Sequence, residues 1–478
     1  MSATNPVTPS RGNMSKSAFV TFLYKGALSA LTFVNSVFAA RFLGKVDRVE
    51  FQNAGTIATM GQRFVGGFAS YYSYSIPRDP DEAAAIANMG NLAVFTLSLI
   101  IWAGTFILTF APIPHVHLPL AWTWALLAIP LNSIFSYGTR LLQGTNSISW
   151  LNRANTMQPI VFFIILLPLW LAGRGLPEHV RLLAIYASWL TSFIITAGAT
   201  MIVAYRFVAL MIDRRAAAKE STEAQGKHSH GSWWTVASWR FAREHWLGTL
   251  KYGGWFTTAN MVNYVNYRID FWLVLAFVPL RIASDYGIAR TASEVLLNIS
   301  SSVAQVVYTR MISSARTDAI RLTQTSTRQT FVSCGIVSIV MYAVFPWLIL
   351  FAYGSTYRGA ILPFCILLPG IIFRAAGNVL MEYATNTLGS PRTTVWMSLV
   401  SIAINGALCL ALLPTLQMLG GAIASSAAYF LSYFVILYWF QRQAHRPAHE
   451  MWPVHKADYA PYGMLVKTIV RRALRRSA

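Results

Sequence analysis

Charged residues are scarce in this chain, and cysteines are scarcer still. Asp, Glu, Lys and Arg make up 12% of the 478 residues, about half the fraction typical of a soluble domain. Cys334, Cys365 and Cys409 fall in apolar stretches without metal-ligand spacing, so we expect buried free thiols and no metal site. The chain also lacks a glycine-rich nucleotide loop, a zinc signature and a nucleophile motif. We therefore expect neither an enzymatic activity nor a cofactor.

Long apolar stretches take the place of the missing charges. Hydrophobic residues make up 55% of the chain, and predominantly apolar stretches of 20 or more residues recur along it. Because about 20 helical residues cross a bilayer core, the sequence predicts an all-α polytopic membrane protein. The twelve predicted spans are 18–41, 50–77, 89–111, 119–142, 150–172, 180–205, 247–277, 283–309, 329–352, 359–386, 393–414 and 418–440.

A polar, basic segment divides these spans into two groups of six. We predict a cytoplasmic N-terminal segment, a first lobe, a basic inter-lobe loop with an amphipathic helix, a second lobe and a basic tail. Their bounds are 1–17, 18–205, 206–246, 247–441 and 442–478. The segment FLGKVDRVEFQNAGTIAT after the first span weakly resembles FVPLRIASDYGIARTASE after the seventh. Such repeats predict lobes related by a pseudo-two-fold axis along the membrane normal, with a substrate site between them.

The positive charge is distributed unevenly between the two sides of the predicted membrane. The net charge is +21, and 25 Lys and Arg residues lie in or next to one set of inter-span segments against 7 for the other. Cytoplasmic segments carry the excess of basic residues, so both termini are predicted to be cytoplasmic. This bias, together with attraction to anionic membrane lipids, explains the charge without a nucleic-acid partner.

Several basic residues fall inside predicted spans, where a charge is costly unless it faces a polar cavity. Lys25, Arg63 and Arg268 each lie two turns or more from the nearest span end. Arginines in such places favour an anionic ligand, because a phosphate accepts their hydrogen bonds bidentately. Arg374 is a further candidate for this site. The alternative is that these cations pair with Asp270, Glu294 or Glu382 of other helices.

The seventh span carries polar residues on one side of its helix. Asn260, Asn263 and Asp270 lie on that side and form, with Glu294, a candidate set for a coupling sodium ion or proton, or for the polar lining of a cavity. Two structural alternatives stay open. Asp270 could neutralise Arg268 through a neighbouring helix, and Glu294 could neutralise Arg290, four residues away on the same helix face.

Five stretches of the chain resemble the polysaccharide-type flippases of the multidrug/oligosaccharidyl-lipid/polysaccharide (MOP) exporter superfamily. They are RFLGKVDRVEF, RLLQGTNSISWLNR, LKYGGWFTTANMVNYVNYRIDFWLV, LFAYGSTYRGAILPFCILLPG and LGSPRTTVWMSLVSIAINGALCLALLPTLQMLGGAIASSAAYFLSY. The resemblance extends from about residue 18 to 441. It implies two six-helix lobes around a V-shaped cavity and transport by alternating access.

The resemblance also implies a function and partners. Members move undecaprenyl-pyrophosphate-linked glycans across the bacterial inner membrane, so the expected function is a flippase for exopolysaccharide or O-antigen synthesis. Lys25, Arg63 and Arg268 lie where related flippases place cavity arginines, although Lys25 replaces a more typical arginine. A polysaccharide polymerase and glycosyltransferases are expected partners. The alternatives are a cation-coupled small-molecule antiporter and a non-transporting scaffold of a glycan assembly complex.

Overall fold

The apolar stretches of the sequence form long helices. The computed structural model describes residues 11–76, 83–110, 126–145, 147–220, 243–298, 300–301, 316–384, 388 and 390–444. Within these ranges the chain forms eleven α-helices. They are α1 (Arg11–Leu43), α2 (Lys45–Ser75), α3 (Ala83–Phe110), α4 (Ala128–Gly144), α5 (Ile148–Ala172), α6 (Glu178–Glu220), α7 (Arg243–Phe277), α8 (Leu280–Ser293), α9 (Arg316–Tyr353), α10 (Ile361–Glu382) and α11 (Pro391–Ala444).

The eleven helices account for the twelve predicted spans, because α11 contains the last two. Gln417 interrupts α11 with φ 49° and ψ −131°, in the segment between the predicted spans 393–414 and 418–440. Gly44, at φ +81°, makes the corresponding sharp connection between α1 and α2, and glycine adopts that conformation without a steric penalty. The prediction of an all-helical membrane protein is confirmed.

Seven of the described helices are long and apolar enough to cross a membrane: α1, α3, α5, α6, α9, α10 and α11. Helices α2 and α7 do not reach this level, although they contain 31 and 35 residues. Their polar and charged side chains lower their hydropathy. Such helices are stable in a bilayer when other helices or a polar cavity shield those side chains from lipid.

The chain divides into two compact units, Met1–Arg268 and Ile269–Ala478. The division falls inside α7, so that the first part of this helix belongs to unit 1 and its last turns to unit 2. In unit 1, α4 packs against α2, α3 and α6. In unit 2, α10 packs against α8, α9 and α11. Each unit thus has a central helix surrounded by its neighbours.

Several helices extend beyond the predicted spans. Helix α6 continues to Glu220, well into the predicted inter-lobe loop, and α1 already begins at Arg11. The predicted amphipathic segment falls largely on 221–242, and most of the basic tail on 445–478, both outside the described residues. Cys334 and Cys409 are buried free thiols as expected, but Cys365 is only partly buried, because it lies on a less covered side of α10.

Candidate functional site

Helix α2 and the first part of α7 approach each other closely in unit 1. A Cβ atom on Gly67 would overlap the backbone of Thr257, and one on Gly253 would come within 2.9 Å of the Cα of Phe68. The hydroxyl of Thr257 also donates a hydrogen bond of 3.2 Å to the carbonyl oxygen of Phe64. Only glycine permits such close packing of two backbones, so these positions fix the separation of the two helices.

This packing brings together Arg63 of α2 and Arg268 of α7. The guanidinium carbons of Arg63 and Arg268 lie 5.1 and 5.9 Å from the centroid of the Tyr264 ring. Both distances are within the range of a cation–π interaction. The Tyr264 hydroxyl donates a 2.8 Å hydrogen bond to the carbonyl oxygen of Thr56, which ties the ring to α2. We call Arg63, Tyr264 and Arg268 the Tyr264 cluster.

The members of the Tyr264 cluster differ in their exposure. Tyr264 is 4% exposed, Arg268 is half-buried, and Arg63 is exposed. The buried ring therefore does not offer the free aromatic face that would stack on a sugar. It serves as a rigid support for two arginines, of which at least Arg63 remains accessible to a ligand.

The other two residues predicted for the anion site are Lys25 and Arg374. Lys25 is part of α1, but its side chain is not among those described. Arg374 belongs to unit 2, where its guanidinium carbon lies 5.3 Å from the centroid of the Tyr429 ring. Both residues are buried, at 6% and 2% exposure. The structure therefore brings together Arg63 and Arg268 among the predicted anion ligands.

A second charged group lies in unit 2 around Asp270, which is completely buried. Its Oδ1 atom forms an ion pair with Nη1 of Arg290. Its Oδ2 atom accepts hydrogen bonds from the hydroxyls of Tyr286 at 2.5 Å and Ser425 at 2.9 Å. Nε of Arg290 donates a 2.9 Å bond to Oε1 of Glu294. We call these five residues the Asp270 network.

The Asp270 network bears on both structural alternatives, the pairing of Glu294 with Arg290 and that of Asp270 with Arg268. The expected pairing of Arg290 with Glu294 is present. Asp270 pairs with Arg290, a partner that the sequence did not indicate. With Arg290 and two hydroxyls bound, Asp270 has its charge compensated inside unit 2. Asn260 and Asn263 lie on α7 within unit 1 and are partly buried, so the four residues predicted to hold a coupling ion are divided between the two units.

Tight packing also supports the buried Arg374. A Cβ atom on Gly370 would overlap the Cα of Ser426, and Ser426 donates a 2.5 Å hydrogen bond to the carbonyl oxygen of Ile366. Gly370 precedes Arg374 by one helical turn, and Ser426 precedes Tyr429 by nearly one. This contact between α10 and α11 therefore sets the position of the Arg374 side chain over the Tyr429 ring.

A third charged group lies at the start of α2. Burial raises the pKa of the Asp47 carboxyl, the negative charge of Glu178 raises it further, and Arg181 lowers it. Arg181 also donates a 2.8 Å hydrogen bond to the carbonyl oxygen of Phe42. Among the described residues, no group of three or more His, Cys, Asp or Glu side chains is arranged to hold a metal ion.

The candidates drawn from the sequence lack Tyr286, Ser425 and Tyr429, and they lack the role of Tyr264 as a support for two arginines. Tyr264 carries a sequence signal, since it lies four residues before Arg268 on one helix face. Tyr286 shares the same relationship with Arg290. Ser425 and Tyr429 carry none, because they lie in a helix distant in sequence from their partners.

Several solved structures similar to this chain are membrane transporters. The Vibrio cholerae MATE transporter VcmN, as a D35N mutant, is 13% identical, with a TM-score of 0.59 over 92% of this chain and 99% of that chain. A multidrug resistance MATE family transporter of the MOP superfamily, in an outward-facing conformation, is 11% identical, with a TM-score of 0.60 over 90% and 95%. This chain has the fold of these two transporters. The resemblance seen in the sequence is confirmed at this level, and the chain is a multi-pass membrane protein.

Two further comparisons concern another transporter structure and a protein family defined by sequence. A MOP superfamily transporter from Pyrococcus furiosus is 11% identical, with a TM-score of 0.53 over 92% of this chain and 96% of that chain. A sequence model of the polysaccharide biosynthesis protein family matches residues 225–362, which include Tyr264, Arg268 and the part of the Asp270 network before Ser425. No curated protein matches the chain.

Proposed function

We propose that the protein is a flippase for a lipid-linked oligosaccharide, and that Arg63 and Arg268 bind the pyrophosphate of its substrate. The observation that carries the proposal is the Tyr264 cluster, in which two helices present two guanidinium groups beside one ring. An exposed arginine near the middle of a membrane helix is stable where it faces water or an anion. A pyrophosphate supplies an anion that arginine binds with paired, charge-assisted hydrogen bonds.

The comparisons support the carbohydrate part of this proposal. The family model that matches α7 and α8 describes polysaccharide biosynthesis proteins. The Pyrococcus furiosus transporter was described with a binding pocket of reverse polarity that suggests a different function, so the MOP fold carries pockets of different polarity. An arginine-based site in this chain agrees with an anionic, lipid-linked glycan as cargo. A small cationic molecule, the cargo of the alternative antiporter, is repelled by the same two arginines.

The remaining parts of the proposal follow from this substrate. The protein exposes its binding site alternately to the two sides of the bacterial inner membrane, performs no covalent chemistry, and has both termini in the cytoplasm. A polysaccharide polymerase and glycosyltransferases stay predicted partners. Coupling to a sodium ion or a proton also stays a prediction. Of the two carboxylates predicted for it, Glu294 has 20% of its side chain exposed, whereas Asp270 is completely buried.

Native mass spectrometry of the purified protein with an undecaprenyl-pyrophosphate oligosaccharide tests the proposal. We expect Arg63→Ala and Arg268→Ala each to weaken binding at least tenfold, or about 1.4 kcal/mol. Arg153→Ala is a matched control, because Arg153 lies over the Trp150 ring at 4.9 Å outside the cluster, and we expect it to bind normally. Unchanged binding by both folded cluster variants would assign the two arginines to structural pairing and refute the proposal.

A further inference from the structure

The ring of Tyr264 is placed to hold two like charges together. Two guanidinium groups near one another repel, and each arginine side chain loses considerable rotamer freedom when it is fixed. The π face of an aromatic ring attracts a cation, so a single ring between two arginines offsets both costs. Since the two guanidinium carbons lie 5.1 and 5.9 Å from one centroid, they are at most about 11 Å apart.

The surroundings of Tyr264 keep this arrangement rigid. The ring is almost fully buried, and its hydroxyl is bonded to the Thr56 carbonyl of α2, 2.8 Å away. Tyr264 and Arg268 lie one turn apart on α7, while Arg63 reaches the ring from α2. The ring thus fixes the arginine of one helix relative to the arginine of the other.

We propose that Tyr264 is a positioning residue that makes the site selective for a diphosphate over a monophosphate headgroup. This inference rests on the proposed function. Each phosphoryl group of a diphosphate can accept a paired hydrogen bond from one guanidinium. A monophosphate offers one such group, so it gains little from the second arginine. A fixed pair of arginines therefore rewards the diphosphate, whereas two mobile arginines lose that advantage to conformational entropy.

The experiment measures dissociation constants for two probes, undecaprenyl pyrophosphate and undecaprenyl monophosphate, on purified full-length protein. We expect Tyr264→Leu to reduce the preference for the diphosphate about tenfold, equivalent to 1.4 kcal/mol, with little change for the monophosphate. Tyr264→Phe keeps the ring but loses the hydroxyl bond to Thr56, so its preference should lie between those of Tyr264→Leu and wild type. Tyr264→Met provides a second variant without a ring, if the leucine variant does not fold.

Tyr438→Leu is the matched control. Tyr438 also lies under an arginine, with the Arg442 guanidinium carbon 5.2 Å from its centroid, but it is exposed and outside the cluster. We expect this variant to keep the wild-type preference. The contrast between the two tyrosines separates the effect of this ring from the general effect of losing a tyrosine.

The outcomes distinguish this inference from the proposed function. A wild-type preference in folded Tyr264→Leu or Tyr264→Met, together with weakened binding by Arg63→Ala and Arg268→Ala, would overturn the role of Tyr264 and leave the headgroup site standing. Normal diphosphate binding by both arginine variants would instead refute the proposed function, and the role of Tyr264 with it. An equal loss of both headgroups in Tyr264→Leu would show that the ring supports the fold and not the selectivity.

Discussion

The two units of this protein contain the same arginine–tyrosine contact with different exposure of the arginine. The Tyr264 cluster in unit 1 and the Arg374–Tyr429 pair in unit 2 each place an arginine over a tyrosine ring. Arg63 is exposed, whereas Arg374 is 6% exposed. Tyr429 also interacts electrostatically with Arg290, Asp270 and Glu294. Arg290 of unit 2 is paired with Asp270 and Glu294 inside a packed core.

This difference in exposure and partners distinguishes an arginine that can bind a ligand from a structural arginine in a membrane helix. The arginine–ring contact does not decide it, since both units contain one. The partners decide it, because a buried cation paired with carboxylates has no remaining capacity for an anion. An accessible cation that packs on a ring can present its guanidinium to a ligand. The proposed headgroup site therefore lies in unit 1, whereas the Asp270 network lies in unit 2.

The largest expected effect is on stability in unit 2. Arg290→Ala leaves the carboxylate of Asp270, completely buried, without its cation, and we expect a loss of about 3–5 kcal/mol in the free energy of unfolding. Thermal unfolding of the purified protein in detergent measures it. The double variant Asp270→Asn with Arg290→Met removes both charges and should recover much of the loss. A melting temperature of Arg290→Ala close to wild type would contradict the contrast between the units.

The next effect is on transport, and it belongs to unit 1. Arg268→Ala removes charge-assisted hydrogen bonds worth about 1.5–3 kcal/mol each, so we expect transport in proteoliposomes to fall at least tenfold while the protein stays folded. Arg268→Lys keeps the charge but not the paired hydrogen-bond geometry, so its transport activity should lie between those of wild type and Arg268→Ala. A loss of stability as large as that of Arg290→Ala would show that Arg268 is structural as well.

The contact between α10 and α11 near Arg374 gives a third, smaller effect, on stability. Gly370→Ala introduces a methyl group against the Cα of Ser426, and such overpacking costs about 1–3 kcal/mol. Gly377→Ala in the same helix is the control, because its new Cβ would meet side-chain atoms of Ile436 and Tyr433 at 3.8 Å, an ordinary contact. It should be neutral, or stabilising by up to about 1 kcal/mol. Equal melting temperatures for the two variants would contradict the role of the Gly370 contact.

The sequence predicts the helices well because their signals are local. A run of apolar residues predicts a membrane helix wherever it occurs, and the break at Gln417 falls between two such runs. The helix ends are less predictable. Helix α6 continues to Glu220 although its last part is polar, since nothing in a polar sequence such as this one requires a helix to stop at the membrane surface.

The candidate site is predictable only where its members are close in sequence. Arg290 and Glu294 are four residues apart, and their pairing is confirmed. The partnership of Asp270 with Arg290 and Ser425 depends on how α7, α8 and α11 pack. The joining of Arg63 with Tyr264 likewise depends on the close approach of α2 and α7. No periodicity within one helix encodes such contacts between helices.

The smallest effect tests whether charges at a helix end matter as much as buried ones. Asp47 lies in the first turn of α2, where the helix dipole favours a negative charge, yet burial and Glu178 raise its pKa above 3.8. Because the folded state then binds the proton more tightly than the unfolded state, the ionised carboxylate destabilises the fold at neutral pH. We expect Asp47→Asn to raise stability by less than about 1 kcal/mol at pH 7, the scale of solvent-exposed charge interactions.

The pH dependence of the stability difference between Asp47→Asn and wild type shows whether the ionised Asp47 carboxylate destabilises the fold. The advantage of Asp47→Asn over wild type should be complete above the raised pKa of the folded state. It should shrink as the pH falls through that pKa, and vanish below 3.8, where Asp47 is protonated in both states. Paired melting curves at several pH values measure the difference, which includes a contribution from Glu50, because the Asp47 charge raises the pKa of the Glu50 carboxyl. A deficit of Asp47→Asn at neutral pH that disappeared towards low pH would mean that the Asp47 carboxylate stabilises the fold, and that end charges of unit 1 resemble the paired charges of unit 2.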